Sequence, residues 1–191
     1  MKSIVRIKKT SKQKEKDFYQ TNPLMVKSLV TWFENYDISE KLNILDPCSG
    51  KGVIVRGLYS HFLKVNYLDK FEGNKKGNFL NHNKKYDIII MNPPYSNKYK
   101  FIDHARDIAN TVICLLPLNI SNYNMFHREY EDIPEFLGKI QMAPKMFLDE
   151  TTDFKAGGNS QYCWYIWNKN NDTDYSKTWY SDLRDYQEVK K

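Results

Sequence analysis

The stretch YDIIIMNPPY, residues 86–95, decides how this chain folds. Its first six residues, Tyr86–Met91, form an apolar run that is typical of a strand buried on both faces. The run ends in a stiff loop, because its two consecutive prolines have no backbone N–H. Such a loop offers carbonyl oxygens, the Asn92 amide and the Tyr95 ring, so it can accept hydrogen bonds from an amino group and stack on the ring that carries it. An ordinary Asn-Pro turn at a strand end is the alternative interpretation.

Strands and helices alternate on both sides of this stretch. Helical spacing of apolar residues predicts a helix that has Asn22 as its N-cap and Pro23 as its first residue, and that ends near Tyr36. Strands that alternate with helices of this length imply right-handed crossovers and a parallel sheet. The other predicted helices span residues 53–62 and 99–110, and the other predicted strands span residues 43–46, 65–68 and 111–116.

The pattern changes after Pro117. A polar segment with a predicted helix around residues 123–130 leads to an apolar run at 140–148, and a glycine-containing loop leads to a second run at 161–167. Two such runs predict an antiparallel hairpin at one edge of the sheet. The aromatic residues 162–167 fit an edge strand packed on the core better than a base-stacking surface, because the run alternates.

These elements predict an α/β protein with a doubly wound, Rossmann-like sheet, mostly parallel and with an antiparallel C-terminal hairpin. The length of 191 residues suits one domain. We expect this domain to span residues 18–168. A flexible basic arm at residues 1–17 would precede it, and a polar C-terminal tail at residues 169–191 would follow it.

Composition argues against several classes of protein. Hydrophobic residues make up 41% of the chain and charged residues 27%, which favours a folded domain. No apolar stretch is long enough to cross a bilayer and the N-terminus lacks the apolar core of a secretion signal, so we expect a cytoplasmic protein with no membrane partner. The three cysteines are widely separated, which favours reduced thiols, and no histidine stands at metal-ligand spacing, so no metal is expected. The net charge of +6 favours a polyanionic partner, with a solvated basic surface as the alternative.

Three unusual segments come directly after predicted strands. They are the loop at residues 46–52, Asp69, and the loop at residues 92–95. Ligands of a doubly wound sheet bind outside the carboxyl ends of its strands, so the coincidence predicts a ligand site there. Asp69 stands where a carboxylate would meet ribose hydroxyls in such folds, and a solvated strand-end aspartate is the alternative.

The first of these loops reads DPCSGKG, and its glycines let the backbone approach a ligand closely. It is not a P-loop, because Gly52 stands where Ser or Thr is required. It is not a dinucleotide fingerprint either, because Val55 replaces the third glycine. Asp46 suits a cationic or hydroxyl-bearing ligand better than a pyrophosphate. Cys48 could act as a nucleophile, but it lies in the glycine loop rather than in the loop that would hold a base.

The order of FYQTNP at residues 18–23, DPCSGKG at 46–52 and NPPY at 92–95 resembles the S-adenosylmethionine-dependent amino-methyltransferases that modify adenine N6 in DNA. The resemblance covers roughly residues 17–168. It implies a methyltransferase sheet with the strand order 3-2-1-4-5-7-6 in the family's numbering, and S-adenosylmethionine as the cofactor. The implied catalytic residues are Asn92, Pro93, Pro94 and Tyr95, and the implied cofactor-binding residues are Phe18, Tyr19, Thr21, Asp46, Cys48, Gly50, Asp69, Asn78, Phe79 and Asn92.

The resemblance also implies a role for individual cofactor-binding residues. Phe18, Tyr19 and Thr21 would border the methionine moiety, and Asp69 would hold the ribose. The sequence GNFL at residues 77–80 stands where the family usually has Gly-Asp-Phe-Leu beside the cofactor's adenine. Asn78 therefore keeps an acceptor oxygen at this position and loses the charge.

We expect this site to methylate adenine N6 with the base flipped into the pocket formed by residues 92–95. Hydrogen bonds from N6 to Asn92 Oδ1 and to the Pro93 carbonyl would localise the nitrogen lone pair and stabilise the positive charge that develops. Tyr95 would stack on the base. The alternatives are the same chemistry on adenine in RNA or on glutamine in a protein, and a silent fold that only binds nucleic acid or a catalytic partner. No segment is large enough for a target-recognition domain, so DNA, the expected partner, would be read weakly or through a separate specificity protein.

Overall fold

The computed structural model describes residues 21–69, 77–142, 161–173 and 175–181. The predicted arm at residues 1–17 and the cofactor candidates Phe18 and Tyr19 lie outside these residues. The helices are α1 (Pro23–Asn35), α2 (Val53–Leu58), α3 (Lys98–Ile108) and the single turn α4 (Asn124–Phe126), which continues as a π-helical turn at His127–Glu131. The strands are β1 (Ile44–Asp46), β2 (Val65–Tyr67), β3 (Tyr86–Met91), β4 (Ala109–Pro117), β5 (Phe136–Met142), β6 (Tyr162–Asn168) and β7 (Lys177–Ser181).

The strands form one seven-stranded sheet in the order β2-β1-β3-β4-β6-β5-β7. Among the described strands β6 runs antiparallel to both of its neighbours, and the remaining strands are parallel to one another. The predicted α/β class, mostly parallel with an antiparallel hairpin, is therefore confirmed.

The two outer positions of the sheet differ from the expected order. The described residues between Asp69 and β3 contribute a 3₁₀ turn at Phe79–Asn81 where the expected order has its strand 3. The seventh strand is instead β7, which pairs in parallel with β5 at the opposite side of the sheet. β7 lies within residues 169–191, where we expected a polar tail, and Trp179 is its apolar anchor against Trp32 (ring centroids 5.4 Å apart). The domain boundary at residue 168 stays a prediction.

Helix α1 begins as the sequence predicts. The Asn22 side-chain oxygen accepts a hydrogen bond from the Leu24 N–H (2.9 Å), and Pro23 occupies the first helical position, where no N–H is needed. The buried face of α1 packs against the sheet, and the indole Nε1 of Trp164 in β6 donates to the Met25 carbonyl (2.8 Å). This hydrogen bond and the cap fix the N-terminal end of α1, which places Thr21 beside the carboxyl end of β3.

Strand β6 is an interior strand that is buried on both faces. Trp164 packs in the core on the side of α1 and α2, whereas Tyr165 and Trp167 pack in the core on the side of α3. The prediction that residues 162–167 form core is confirmed, but the prediction of an edge position is wrong. The tail segment that forms β7 places β5 and β6 inside the sheet.

Strand β5 begins at Phe136, four residues before the predicted run at 140–148. The register against β6 shifts between Phe136 and Gly138, and Gly138 has a φ of +143°. Such a bulge interrupts the alternation of apolar residues, which hides the start of the strand from a periodicity argument. Residues 143–148 of the predicted run lie outside the described residues.

In the part of the chain that the structure describes, no helix is both long and apolar enough to span a bilayer. Cys48, Cys114 and Cys163 are free thiols, as the spacing predicted.

Candidate active site

Strands β1, β2 and β3 end side by side at one edge of the sheet, which we call the carboxyl edge. Asp46 is the last residue of β1, which lies between β2 and β3. The chain leaves β1 toward β2 on one side and returns to β3 on the other, so the strand order reverses between β1 and β3. Ligands of doubly wound sheets bind beside such a reversal. Asp46, Asp69 and Asn92 lie at this same edge, as the sequence predicted.

The glycine loop after β1 is fastened to the end of β2. The Gly50 N–H donates to Asp69 Oδ2 (2.8 Å), and the Ser49 N–H donates to the Leu68 carbonyl (3.1 Å). Gly50 and Gly52 have φ values of 46° and 75°, a region that favours glycine. The structure therefore explains both glycines by backbone conformation, and it brings Gly50 into direct contact with Asp69.

Asp46 is a buried carboxyl with one acceptor left over. Its side chain is fully buried, and Oδ1 accepts a hydrogen bond from the Cys48 N–H (3.0 Å). Oδ2 is buried without a hydrogen-bond partner among the described residues. Burial raises the pKa of Asp46 to about 7, the Cys48 N–H opposes the shift, and nearby Asp69 adds to it. A buried carboxyl with an unused acceptor is a candidate binding point for a ligand that brings a donor or a positive charge.

The Cys48 thiol is held in its protonated form. Burial raises its pKa well above the ordinary value, and the neighbouring Asp46 carboxyl raises it further. A nucleophilic cysteine needs the opposite shift, because the thiolate is the reactive form. The raised pKa therefore argues against Cys48 as a nucleophile.

Asn78 and Phe79 lie beyond Asp69, where the Gly77 N–H donates to the Asp69 carbonyl (3.0 Å). The exposed Asn78 side chain caps the 3₁₀ turn by accepting from the Leu80 N–H (3.3 Å). Phe79 is 2% exposed and packs against His104, with ring centroids 4.9 Å apart. Phe79 is therefore a core residue, and its predicted cofactor contact stays a prediction.

The loop at residues 92–95 is held from two sides. The Asn92 amide nitrogen donates to Thr21 Oγ1 (3.2 Å), which orients the amide and directs its oxygen away from Thr21. On the other side, Lys98 Nζ donates to the Tyr95 carbonyl (3.3 Å) from the first turn of α3. Burial lowers the pKa of Lys98. The site residue predicted in the segment before α1, Thr21, thus contacts the predicted catalytic amide directly.

Tyr162 and Lys98 join the site without having been predicted from the sequence. The rings of Tyr95 and Tyr162 are nearly parallel (20°), with centroids 6.2 Å apart. Tyr162 begins β6, and its register partner Pro117 ends β4, so the reversed strand brings the tyrosine to the carboxyl edge. The predicted hairpin contained this signal, since an antiparallel neighbour of β4 must start where β4 ends.

Metal-ligand chemistry was not predicted for this chain. In the ranges that the structure describes, no three His, Cys, Asp or Glu side chains are grouped so that they could hold a metal ion.

No protein-family model and no curated protein matches this chain. Solved structures do match in fold. A candidate RNA methyltransferase from Pyrococcus horikoshii superposes with a TM-score of 0.58 at 17% identity, over 79% of this chain and 86% of that one.

Two further solved structures extend the comparison. A type I restriction-modification methyltransferase subunit from Streptococcus thermophilus has a TM-score of 0.59 at 12% identity, over 82% of this chain and 46% of that one. A magnesium protoporphyrin IX methyltransferase from Synechocystis, solved with bound SAH, has a TM-score of 0.51 at 13% identity, over 76% of this chain and 82% of that one. The chain therefore has a Rossmann-like methyltransferase fold, and it spans about half the length of the restriction-modification subunit.

Proposed function

We propose that this protein transfers a methyl group from S-adenosylmethionine to the exocyclic N6 amino group of adenine in DNA. The observation that carries the proposal is the Asn92 amide, which Thr21 orients at the same edge of the sheet as the buried Asp46 carboxyl. The Asp46 carboxyl suits the cationic end of a cofactor, and the Asn92 amide suits an amino group that is to be methylated.

The residues of the glycine loop fit the cofactor. The unused Oδ2 of Asp46 can accept from the ammonium of the methionine moiety, and the cation would lower the carboxyl's pKa from its present value of about 7. Asp69, already positioned by the Gly50 N–H, can accept from ribose hydroxyls. S-adenosylmethionine supplies a methyl group on a positively charged sulfur, which is an electrophile for an amine.

The loop at residues 92–95 fits the target amine. Asn92 Oδ1 and the Pro93 carbonyl can accept both hydrogens of an amino group, which localises the nitrogen lone pair and stabilises the charge that develops on nitrogen. Tyr95 offers a face on which the base can stack, with the Tyr162 ring nearly parallel to it. A base reaches such a pocket from a duplex only after it is flipped out.

The choice of DNA is supported by the resemblance of the three motifs and by the net charge of +6. The fold comparison includes a methyltransferase subunit of a restriction-modification system, of which this chain spans 46%.

Adenine in RNA is a second candidate substrate. The observation that favours it is the fold similarity to the Pyrococcus horikoshii RNA methyltransferase candidate, which superposes with a TM-score of 0.58.

The test is incubation with methyl-labelled S-adenosylmethionine and either unmethylated DNA or total RNA, followed by digestion to nucleosides and mass spectrometry. The proposal predicts labelled N6-methyldeoxyadenosine from DNA, and no label with Asn92→Ala. Label in N6-methyladenosine from RNA alone would support the second candidate. Cofactor binding without label in either polymer would contradict both candidates and would favour a protein substrate or a silent fold.

A further inference from the structure

Three tyrosines and one lysine lie at the carboxyl edge between the loop at residues 92–95 and the segment after β4. Lys98 contacts both Tyr95 and Tyr99. Its Nζ donates to the Tyr95 carbonyl (3.3 Å) and lies 4.4 Å from the centre of the Tyr99 ring. Tyr99 packs on the turn that follows Tyr123, with its ring centroid 5.4 Å from that of Tyr130 and 6.4 Å from that of Phe126. We call Tyr95, Lys98, Tyr99 and Tyr123 the aromatic track.

The outer end of the track is exposed although the turn beneath it is packed. Tyr123 is 62% exposed and Met125 is 37% exposed. The buried residues of the same turn, Phe126 and Tyr130, stack on each other with ring centroids 5.3 Å apart, and Tyr130 stacks on Tyr99 at 5.4 Å. Tyr123 is therefore presented to solvent by a turn that the core holds in place.

A polar network also holds this turn. Glu131 accepts a hydrogen bond from Ser121 Oγ (2.7 Å) and lies 3.7 Å from Lys139 Nζ. Ser121 Oγ is in turn 2.9 Å from the hydroxyl of Tyr165, a buried residue of β6. Contacts before and after Tyr123 thus fix the backbone, so a ligand that stacks on Tyr123 meets a surface that is already ordered.

A surface of this kind has one well-matched ligand. Unpaired bases stack on exposed aromatic rings regardless of sequence, and a cation among the rings suits the phosphates between the bases. A base pair inside a duplex offers no free face to such rings. The half-exposed Lys98 lies between Tyr95 and Tyr99, so one nucleic-acid strand can contact the rings through its bases and Lys98 through a phosphate.

We infer that the aromatic track binds a single-stranded stretch of nucleic acid beside the target base. The inference rests on the proposed function, because it takes the loop at residues 92–95 as the place of the target base. It names the strand state of the substrate: DNA that is single-stranded or locally opened next to the adenine.

The experiment uses fluorescence anisotropy with a labelled oligothymidylate of about 15 nucleotides, free or annealed to its complement. The complement carries 2-aminopurine in place of adenine, which pairs with thymine but has no N6 amino group, so neither affinity depends on filling the catalytic pocket with a target adenine. Tyr123→Ala is compared with Tyr175→Ala, a matched control. Tyr175 is 63% exposed, against 62% for Tyr123, and it precedes β7 at the opposite edge of the sheet.

We expect the wild-type protein to bind the single strand more tightly than the duplex. Tyr123→Ala should weaken single-strand binding about tenfold, the size of one lost base stack, and leave duplex binding unchanged. Tyr175→Ala should change neither. Lys98→Met should reduce the slope of log affinity against log salt concentration for the single strand by about one, because one phosphate contact is lost.

Three results would overturn the inference: equal effects of Tyr123→Ala and Tyr175→Ala, tighter binding of the duplex, or no binding of the single strand by the wild-type protein. The outcome is separable from that of the proposed function. Methyl transfer to adenine with Tyr123→Ala binding like wild type would reject the track and keep the reaction. Loss of binding in Tyr123→Ala without methyl transfer by the wild-type protein would keep the track and reject the reaction.

Discussion

The carboxyl and amino edges of the sheet differ in the residues that form them. At the carboxyl edge the structure holds a buried carboxyl with an unused acceptor, two glycines with positive φ and a stiff loop with two prolines. At the opposite, amino edge it holds an apolar groove of about 410 Å³ beside Trp32, Tyr36 and Trp179, whose rings lie 5.2–5.7 Å apart. A buried charge costs stability, whereas packed aromatic rings supply it.

We infer that ligand binding and stability depend on opposite ends of the strands. Substitutions at the carboxyl edge should change ligand binding and catalysis with small or even favourable effects on stability. Substitutions at the amino edge should lower stability and leave the chemistry intact. Four predictions test this division, in descending order of the expected effect.

The largest effect is expected from Asn92→Ala. The substitution removes an acceptor that would stabilise the charge developing on the target nitrogen, so we expect kcat for methyl transfer to fall about a thousandfold, or about 4 kcal/mol in the activation free energy. The melting temperature should stay close to that of the wild-type protein. Single-turnover assays with labelled cofactor measure the rate, and Asn110→Ala, the same substitution in an exposed residue at the amino edge, is the control. Similar rates of methyl transfer for the two variants would contradict the assignment of catalysis to the carboxyl edge.

The next effect is a loss of stability at the amino edge. Gly138 has a φ of +143°, and an added Cβ would overlap the Lys177 carbonyl at the point where β5 meets β7. We expect Gly138→Ala to lower the free energy of unfolding by about 3 kcal/mol, from backbone strain and overlap together. Urea denaturation measures it. Gly77→Ala is the control at the carboxyl edge, because its Cβ would make an ordinary contact of 3.5 Å with Leu68. An equally large loss in Gly77→Ala would contradict the comparison.

The third prediction concerns the pH dependence of stability. The native protein holds the Asp46 proton up to a pKa of about 7, whereas the unfolded chain releases it near 3.8. The stability from this group is therefore complete below pH 3.8 and is lost as the pH rises through 7. Between pH 5 and pH 8 the loss amounts to about 2.5 kcal/mol. Asp46→Asn should remove this slope from denaturation curves recorded at the two pH values, and an unchanged slope would show that Asp46 is already ionised in the folded protein.

The smallest effect is expected at Asn78, where the family resemblance is imperfect. An exposed carboxylate in its place can still cap the Leu80 N–H and would make a charge-assisted hydrogen bond to the cofactor. We expect Asn78→Asp to raise the affinity for S-adenosylmethionine about threefold in equilibrium dialysis, with no change in melting temperature. A weaker affinity would place Asn78 outside the cofactor site.

The parts of the fold that depend on local signals could be predicted from the sequence. The N-cap at Asn22, the proline at the first position of α1 and the apolar run of β3 depend on neighbouring residues, and the structure has them as predicted. β7 could not be predicted, because Trp179 is one apolar residue in a polar segment and its partner strand is about forty residues away in sequence. The bulge at Gly138 hid the start of β5 for a related reason: alternation fails where the register shifts.

The candidate site divides in the same way. The motifs predicted that Asp46, Asp69 and Asn92 lie at the carboxyl edge, because each comes at the end of a strand in a parallel part of the sheet. The orientation of the Asn92 amide by Thr21, the stacking of Tyr162 and the raised pKa of Asp46 could not be predicted. Each depends on burial or on a contact between segments far apart in the chain.

We expect the carboxyl edge to receive S-adenosylmethionine with the positive end of its methionine moiety at Asp46. Calorimetric titration with S-adenosylmethionine at pH 6.5, in two buffers of different ionisation enthalpy, tests it directly. We expect one binding site and the release of up to one proton, because the cation shifts Asp46 from partly protonated to ionised. Asp46→Asn should bind more weakly and release no proton. Equal affinity and equal proton release in the two proteins would contradict the account.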